Sequence, residues 1–136
     1  MVRAGSFFQY VRSPHMTTTP IKDKAGQTLT TYDDADGVCL QKADLRQASL
    51  NGADLEGADL CYANLEKADL AGANLRDAKL WATDLRGADL SDADLRGARL
   101  WKAKTRLANF SGAKYNYATR FSRGFDPRQK GMKLEE

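Results

Sequence analysis

The chain has 136 residues, 42% of them apolar and 29% charged, which is the composition of one globular domain. No apolar run approaches the ~20 residues that cross a bilayer, and the N-terminus lacks the apolar stretch of a secretory signal, so a cytoplasmic protein with no membrane partner is expected. Two Cys and the single His15, without CxxC-type spacing, exclude a disulfide framework and a zinc or redox motif, so neither metal nor cofactor is expected.

Residues 1–20, MVRAGSFFQYVRSPHMTTTP, have no sustained periodicity and end in a Thr/Pro cluster, which predicts a flexible segment; His15-Met16 reads equally as a second start or a junction. Residues 21–37 precede the first regular repeat and are expected to cap it. From Val38 the chain counts in fives. Leu stands at every fifth position from Leu40 to Leu100, and Ala stands two positions before it from Ala43 to Ala118, Thr83 excepted.

Neither regular backbone structure has that period. On a helix, Leu every five residues advances by roughly 140° each time and scatters around the axis, so no apolar face forms. A continuous strand sends successive Leu residues to opposite faces. A three-residue strand followed by a two-residue corner resolves the conflict: in ADL the Ala and Leu point one way and the Asp the other, and the corner restores the parity. The period itself shows only strand plus corner; if each corner turned ~90°, four such units would close one coil, and coils would stack at the ~4.8 Å spacing of paired strands around a bore filled by alternating small and large side chains.

The sequence ADLEGADLCYANLEKADLAGANL, residues 53–75, resembles the A(D/N)LXX consensus of the pentapeptide-repeat family. That resemblance implies an all-β fold, a right-handed quadrilateral β-helix. It covers residues 38–117, sixteen pentapeptides in four coils of twenty residues, and continues loosely through ATRFS at 118–122. Thr105, Phe110 and Tyr115 replace Leu in the last coil, and Arg120 is no core residue, so the solenoid is expected to stop near 117. Residues 118–136 then form a C-terminal cap and tail, with Phe121 and Phe125 as anchors over the open bore.

Charge is graded along the chain. Residues 38–77 carry four basic and seven acidic groups, whereas residues 78–117 carry eight basic and four acidic. Stacking by twenty residues assigns the outward positions to four faces. The first holds Lys79, Arg99 and Lys102 beside a column of Cys61, Trp81 and Trp101, with Tyr62 at the corner and Phe121 as the next rung. The opposite face is small and acidic, with Asp69, Asp89 and Asp92. On the second face the column Arg46, Glu66 and Arg86 is expected to pair between coils.

Aromatic and basic residues in one exposed stripe mark a contact surface, so Tyr62, Lys79, Trp81, Arg99, Trp101, Lys102 and Phe121 are the candidate binding residues. Three occupants fit: a terminal segment of the chain, a protein partner or self-association through the C-terminal coil, and a single-stranded nucleic acid, for which no recognised motif is present. No catalytic residue is expected. The stacked Asp and Asn columns read as solvated repeat positions, and a filled solenoid offers no pocket for a nucleophile and base. The expected function is a non-enzymatic scaffold or protein-binding module. The alternative, by family analogy, is topoisomerase interaction by DNA mimicry, which the basic C-terminal coils and short length disfavour.

Overall fold

The computed structural model describes residues 18–23, 26–33 and 38–136. Residues 1–17, most of the segment expected to be flexible, lie outside the described residues. Over residues 38–117 the chain winds as a four-sided β-helix. Parallel bridges twenty residues apart link one face through Cys39, Asp59, Lys79 and Arg99, the next through Asp44, Asn64, Asp84 and Lys104, and the remaining two in the same way. The bore is filled: every repeat Leu from Leu40 to Leu100 is at most 4% exposed, and Ala73, Ala78, Ala93 and Ala98 are wholly buried. Alternating small and large side chains fill a narrow tube in the manner of a close-packed protein interior.

In the pentapeptide 59–63 all five backbone N–H groups find partners. Leu60 N–H donates to Lys79 C=O of the next coil at 2.8 Å, and Tyr62 N–H to Trp81 C=O at 3.0 Å. Asp59 N–H donates back to Val38 C=O at 2.8 Å, and Ala63 N–H closes the corner on Leu60 C=O at 3.0 Å. The fifth, at the first corner residue, has no backbone partner. It donates instead to the side chain two residues earlier, as Ala71 N–H does to Asp69 Oδ1 at 3.1 Å and Ser91 N–H to Asp89 Oδ1 at 2.9 Å. Where a repeat has Asp or Asn at its middle position, that residue is therefore an Asx cap on its own turn, and not simply a solvated position.

The second corner residue takes a positive φ, the signature of a type II turn. From Lys42 to Gly112 these angles run from 56° to 74°, and nine of the residues are not glycine. Such a conformation costs an ordinary side chain roughly 1 kcal/mol. The stacked ladder and filled bore over-determine it at every corner.

Thr83, the one exception to Ala, is fully buried and its hydroxyl donates to Leu60 C=O at 2.7 Å, so the polar atom is satisfied inside the tube. Three of the capping carboxylates also carry an arginine of their own repeat. Arg86 grips Asp84 at 2.6 Å and Arg96 grips Asp94 at 2.6 Å. Arg86 also reaches Glu66 of the coil below at 3.2 Å, as expected, but Arg46 turns to Asp44 of its own repeat at 2.8 Å instead of Glu66. A carboxylate two residues away in the same corner is fixed by the backbone, whereas Glu66 must be reached across the coil spacing.

These hydrogen bonds from Arg86 and Arg96 hold the Asp84 and Asp94 carboxyls below the usual carboxylate range, against the opposing effect of burial. A carboxylate with a depressed folded pKa stabilises the fold above its unfolded value, and that contribution is lost as pH falls through the lower folded value. The melting temperature should therefore hold from pH 7 to about 5 and fall below about pH 4, near the unperturbed Asp value. Thermal melts across that range should show a shallower fall for the double variant Asp84→Asn, Asp94→Asn, whose amides keep the turn cap without titrating. An equal fall in both proteins would assign the acid sensitivity to other groups.

At the N-terminal end, β1 (Thr18–Asp23) pairs antiparallel with β2 (Thr28–Asp33) and, through Lys22 and Asp23, with β3 (Ala48–Ser49) of the first coil. β1 thus starts at Thr18, within the segment 1–20 expected to be flexible. Thr suits a strand, and Pro20 is tolerated because β1 has a neighbour on only one side there.

At the C-terminal end the ladder continues beyond 117 on two faces. Asn116, Tyr117 and Ala118 make a corner one residue longer than the others, so Arg120, not Thr119, bridges Arg99. Thr119 takes the inward small position, its hydroxyl donating to Leu95 C=O at 3.0 Å, and Asn116 Oδ1 accepts Gly97 N–H at 3.0 Å. The frame shift turns Phe121 into the position that Leu occupies elsewhere. It stacks on Phe125, with ring centroids 4.7 Å apart, and Phe125 meets Phe110 edge-on at 5.3 Å. The tail returns to pair β5 (Lys133–Leu134) in parallel with β4 (Lys114–Tyr115), burying Met132.

Candidate functional site

The first face carries a groove of about 610 Å³ lined by Cys61, Lys79, Trp81, Arg99, Trp101, Arg120 and Phe121. Its floor is set by the coil repeat. Trp81 and Trp101 occupy the first corner position of successive coils and therefore stand one above the other. Trp101 is 55% exposed and Tyr62 50%. Tyr62 meets Trp81 edge-on, with centroids 4.9 Å apart. The Lys102 ammonium lies 5.6 Å from the centroid of Trp81 and 5.3 Å from that of Trp101, a cation held between two indoles.

The structure brings together all seven residues singled out in the sequence, with one correction. Phe121 is not the next rung above Trp101, because the extra corner residue moves it to the inward position. It reaches the groove from the rim of the cap. Arg120, which that same shift places above Arg99, joins the groove and was missed; the one-residue insertion has no signature in a sequence where Ala118 still falls on the expected count.

Two features of this face run against the needs of the fold. At ten of the sixteen repeats the middle position is Asp or Asn and caps the corner, but beneath the two indoles it is Lys79 and Arg99, which, like Lys104 and Lys114 in the last coil, cannot accept a hydrogen bond. Trp81 Nε1 is buried without a hydrogen-bond partner, a loss of ~1–3 kcal/mol.

Both thiols are free. Burial pushes the Cys61 thiol above its usual pKa, and Asp59 beside it acts in the same direction, so it stays protonated at neutral pH. Among the described residues, no group of His, Cys, Asp and Glu is arranged to hold a metal ion, and no helix is long and apolar enough to cross a membrane.

The family model for pentapeptide repeats matches eight copies, over residues 39–77 and 73–112. Several solved structures are similar. A pentapeptide repeat protein from Nostoc, alr5209, is 36% identical, with 74% of this chain and 88% of that chain covered and a TM-score of 0.41. Rfr23 from the cyanobacterium Cyanothece is 29% identical over 75% of this chain and 78% of its own, with a TM-score of 0.44. A pentapeptide repeat protein of the Arabidopsis thaliana thylakoid lumen is 32% identical over 62% and 59%, with a TM-score of 0.40. None of the curated proteins matches the chain in sequence. The fold is the right-handed quadrilateral β-helix.

Proposed function

Since the chain belongs to the pentapeptide-repeat family, we propose that it is a non-enzymatic scaffold whose first-face groove binds an acidic segment of a protein partner carrying an aromatic or aliphatic side chain. The observation that carries this reading is the pairing of Trp81 and Trp101 with Lys79 and Arg99, cations at two of the three positions where that face lacks an Asx cap. Losing a turn hydrogen bond costs about 1 kcal/mol at each corner. The cations placed there, with Lys102 and Arg120, flank an apolar surface, which suits a partner of opposite charge with one apolar anchor.

A non-catalytic role is supported by the chemistry of the other polar groups. The repeat carboxylates are engaged as turn caps, Cys61 is held as a thiol, and the bore is filled with Leu and Ala. DNA mimicry requires rows of negative charge, whereas the middle positions of the last coil include Arg99, Lys104 and Lys114.

An array of acidic peptides, each with one central aromatic or aliphatic residue, tests the reading. Trp101→Ala should weaken the binding of any captured peptide by about 2 kcal/mol or more, roughly thirtyfold, and leave the melting temperature nearly unchanged. A fall in melting temperature with binding intact would make the indoles packing residues.

A further inference from the structure

The C-terminal tail completes a fifth layer on two sides of the helix only. It covers the first face through Thr119–Phe121 and the fourth through β5, meets the third through Gly112 N–H to Gly131 C=O at 2.9 Å, and among the described residues makes no backbone hydrogen bond to the second. The strand edge of Ala103–Leu107 is left open. In every lower coil of this face the second N–H pair and one C=O bond upward: Leu85 N–H to Lys104 C=O, Gly87 N–H to Arg106 C=O, and Ala63 C=O from Asp84 N–H. Among the described residues, Thr105 N–H, Leu107 N–H and Ala103 C=O have no such partner.

The side chains match this gap. Ala43, Leu45, Ala63, Leu65, Thr83 and Leu85 are at most 2% exposed, whereas Ala103 and Thr105 are only half-buried. Thr105 is also shorter than the Leu it replaces. Between this edge and the tail lies a cavity of about 250 Å³, bounded by Ala103, Thr105, Phe121, Phe125, Arg123 and Lys130, among others.

We infer that this edge is a strand-addition site for an extended acidic segment of a partner protein, with the order small, acidic, apolar. Paired parallel to Ala103–Thr105, the segment's acidic residue donates its N–H to Ala103 C=O and accepts from Thr105 N–H. The carbonyl two residues on accepts from Leu107 N–H, which repeats the bonds that join every lower coil. The apolar residue enters the cavity over Thr105. The acidic side chain faces outward beside Lys104, in the column where Asp84 already sits beneath that lysine, with Arg123 and Lys130 on the wall of the adjoining cavity. The charge around the edge excludes a basic strand and favours an acidic one.

A fluorescein-labelled peptide GADLEGADL, the sequence of residues 52–60, is the probe. Anisotropy titration of the full chain should saturate below roughly 100 μM, in the range of strand-addition peptides. The double variant Arg123→Glu, Lys130→Glu should weaken binding at least tenfold, and so should N-methylation of the first Asp of the peptide, which removes the bond to Ala103 C=O. The titration is repeated in Trp101→Ala, which removes capture by the first-face groove and should leave saturable binding that Arg123→Glu, Lys130→Glu still weakens. Hydrogen exchange should slow at Thr105 and Leu107 when the peptide is bound. The inference is overturned by absence of binding, by equal binding of a peptide with Lys in place of Asp and Glu, by loss of binding in Trp101→Ala alone, or by a dimer in light scattering whose own edge shuts the peptide out.

Discussion

Leu75→Asp should abolish the folded state. Leu75 is wholly buried midway along the bore, with Ala73 beside it and Leu55 and Leu95 in the same column, all fully buried as well. A carboxylate there would have no partner and no water, because its neighbours are hydrocarbon. Protonating it lowers the penalty but still strands a polar group, and filling the tube with the smaller side chain leaves a void as well. The combined loss is on the order of 5 kcal/mol or more, comparable with the whole stability of a domain this size. Far-ultraviolet circular dichroism and urea unfolding check it: the variant should lack the β-type spectrum and cooperative transition of the parent. A variant as stable as the parent would mean that this face of the repeat does not point inward.

Truncation after Tyr117 should have the next largest effect. It removes Thr119 and Phe121 from the first face, Phe125 from its contact with Phe110, and Met132 with β5 from the fourth face. The apolar contacts of Phe121, Phe125 and Met132 are together worth about 5 kcal/mol. The truncated chain would end in an uncovered bore lined by Leu100, Phe110 and Ala113, with strand edges open on four sides instead of one or two. Light scattering should show concentration-dependent association that the full chain lacks. The opposite outcome, a dimeric full chain that becomes a stable monomer on truncation, would make the tail a joint between subunits.

The coil was legible because the period of five admits few solutions, and Leu and Ala at fixed offsets say which side chains turn inward. The corners were legible only in part. A count of residues shows that Asp and Asn recur at the middle position, but their role as caps appears only when each backbone N–H is followed to its partner, as with Asp69 and Ala71. The first-face groove was readable for the same reason as the bore: residues twenty apart stack, whatever they are. Arg120 and Phe121 were misplaced because one inserted residue in the corner at 116–118 shifts the frame while Ala118 preserves the appearance of the repeat. Arg46 was paired with the wrong carboxylate because column arithmetic ignores a nearer partner within the same corner. Pairing of β1 with β3 joins Lys22 to Ser49 across 27 residues, a distance over which no local pattern specifies a register.

The groove on the first face is the centre of the functional account, and iodide quenching of tryptophan fluorescence in a protein confirmed as a monomer tests it most directly. Iodide is drawn to the cations around the indoles, so exposure there is read with high sensitivity. The Trp81→Phe variant, which keeps only Trp101, should be quenched strongly, as its 55% exposure requires. The Trp101→Phe variant, which keeps only the partly buried Trp81, should be quenched weakly. Strong protection of Trp101 in the monomer would contradict an open groove and show that another part of the chain already occupies it.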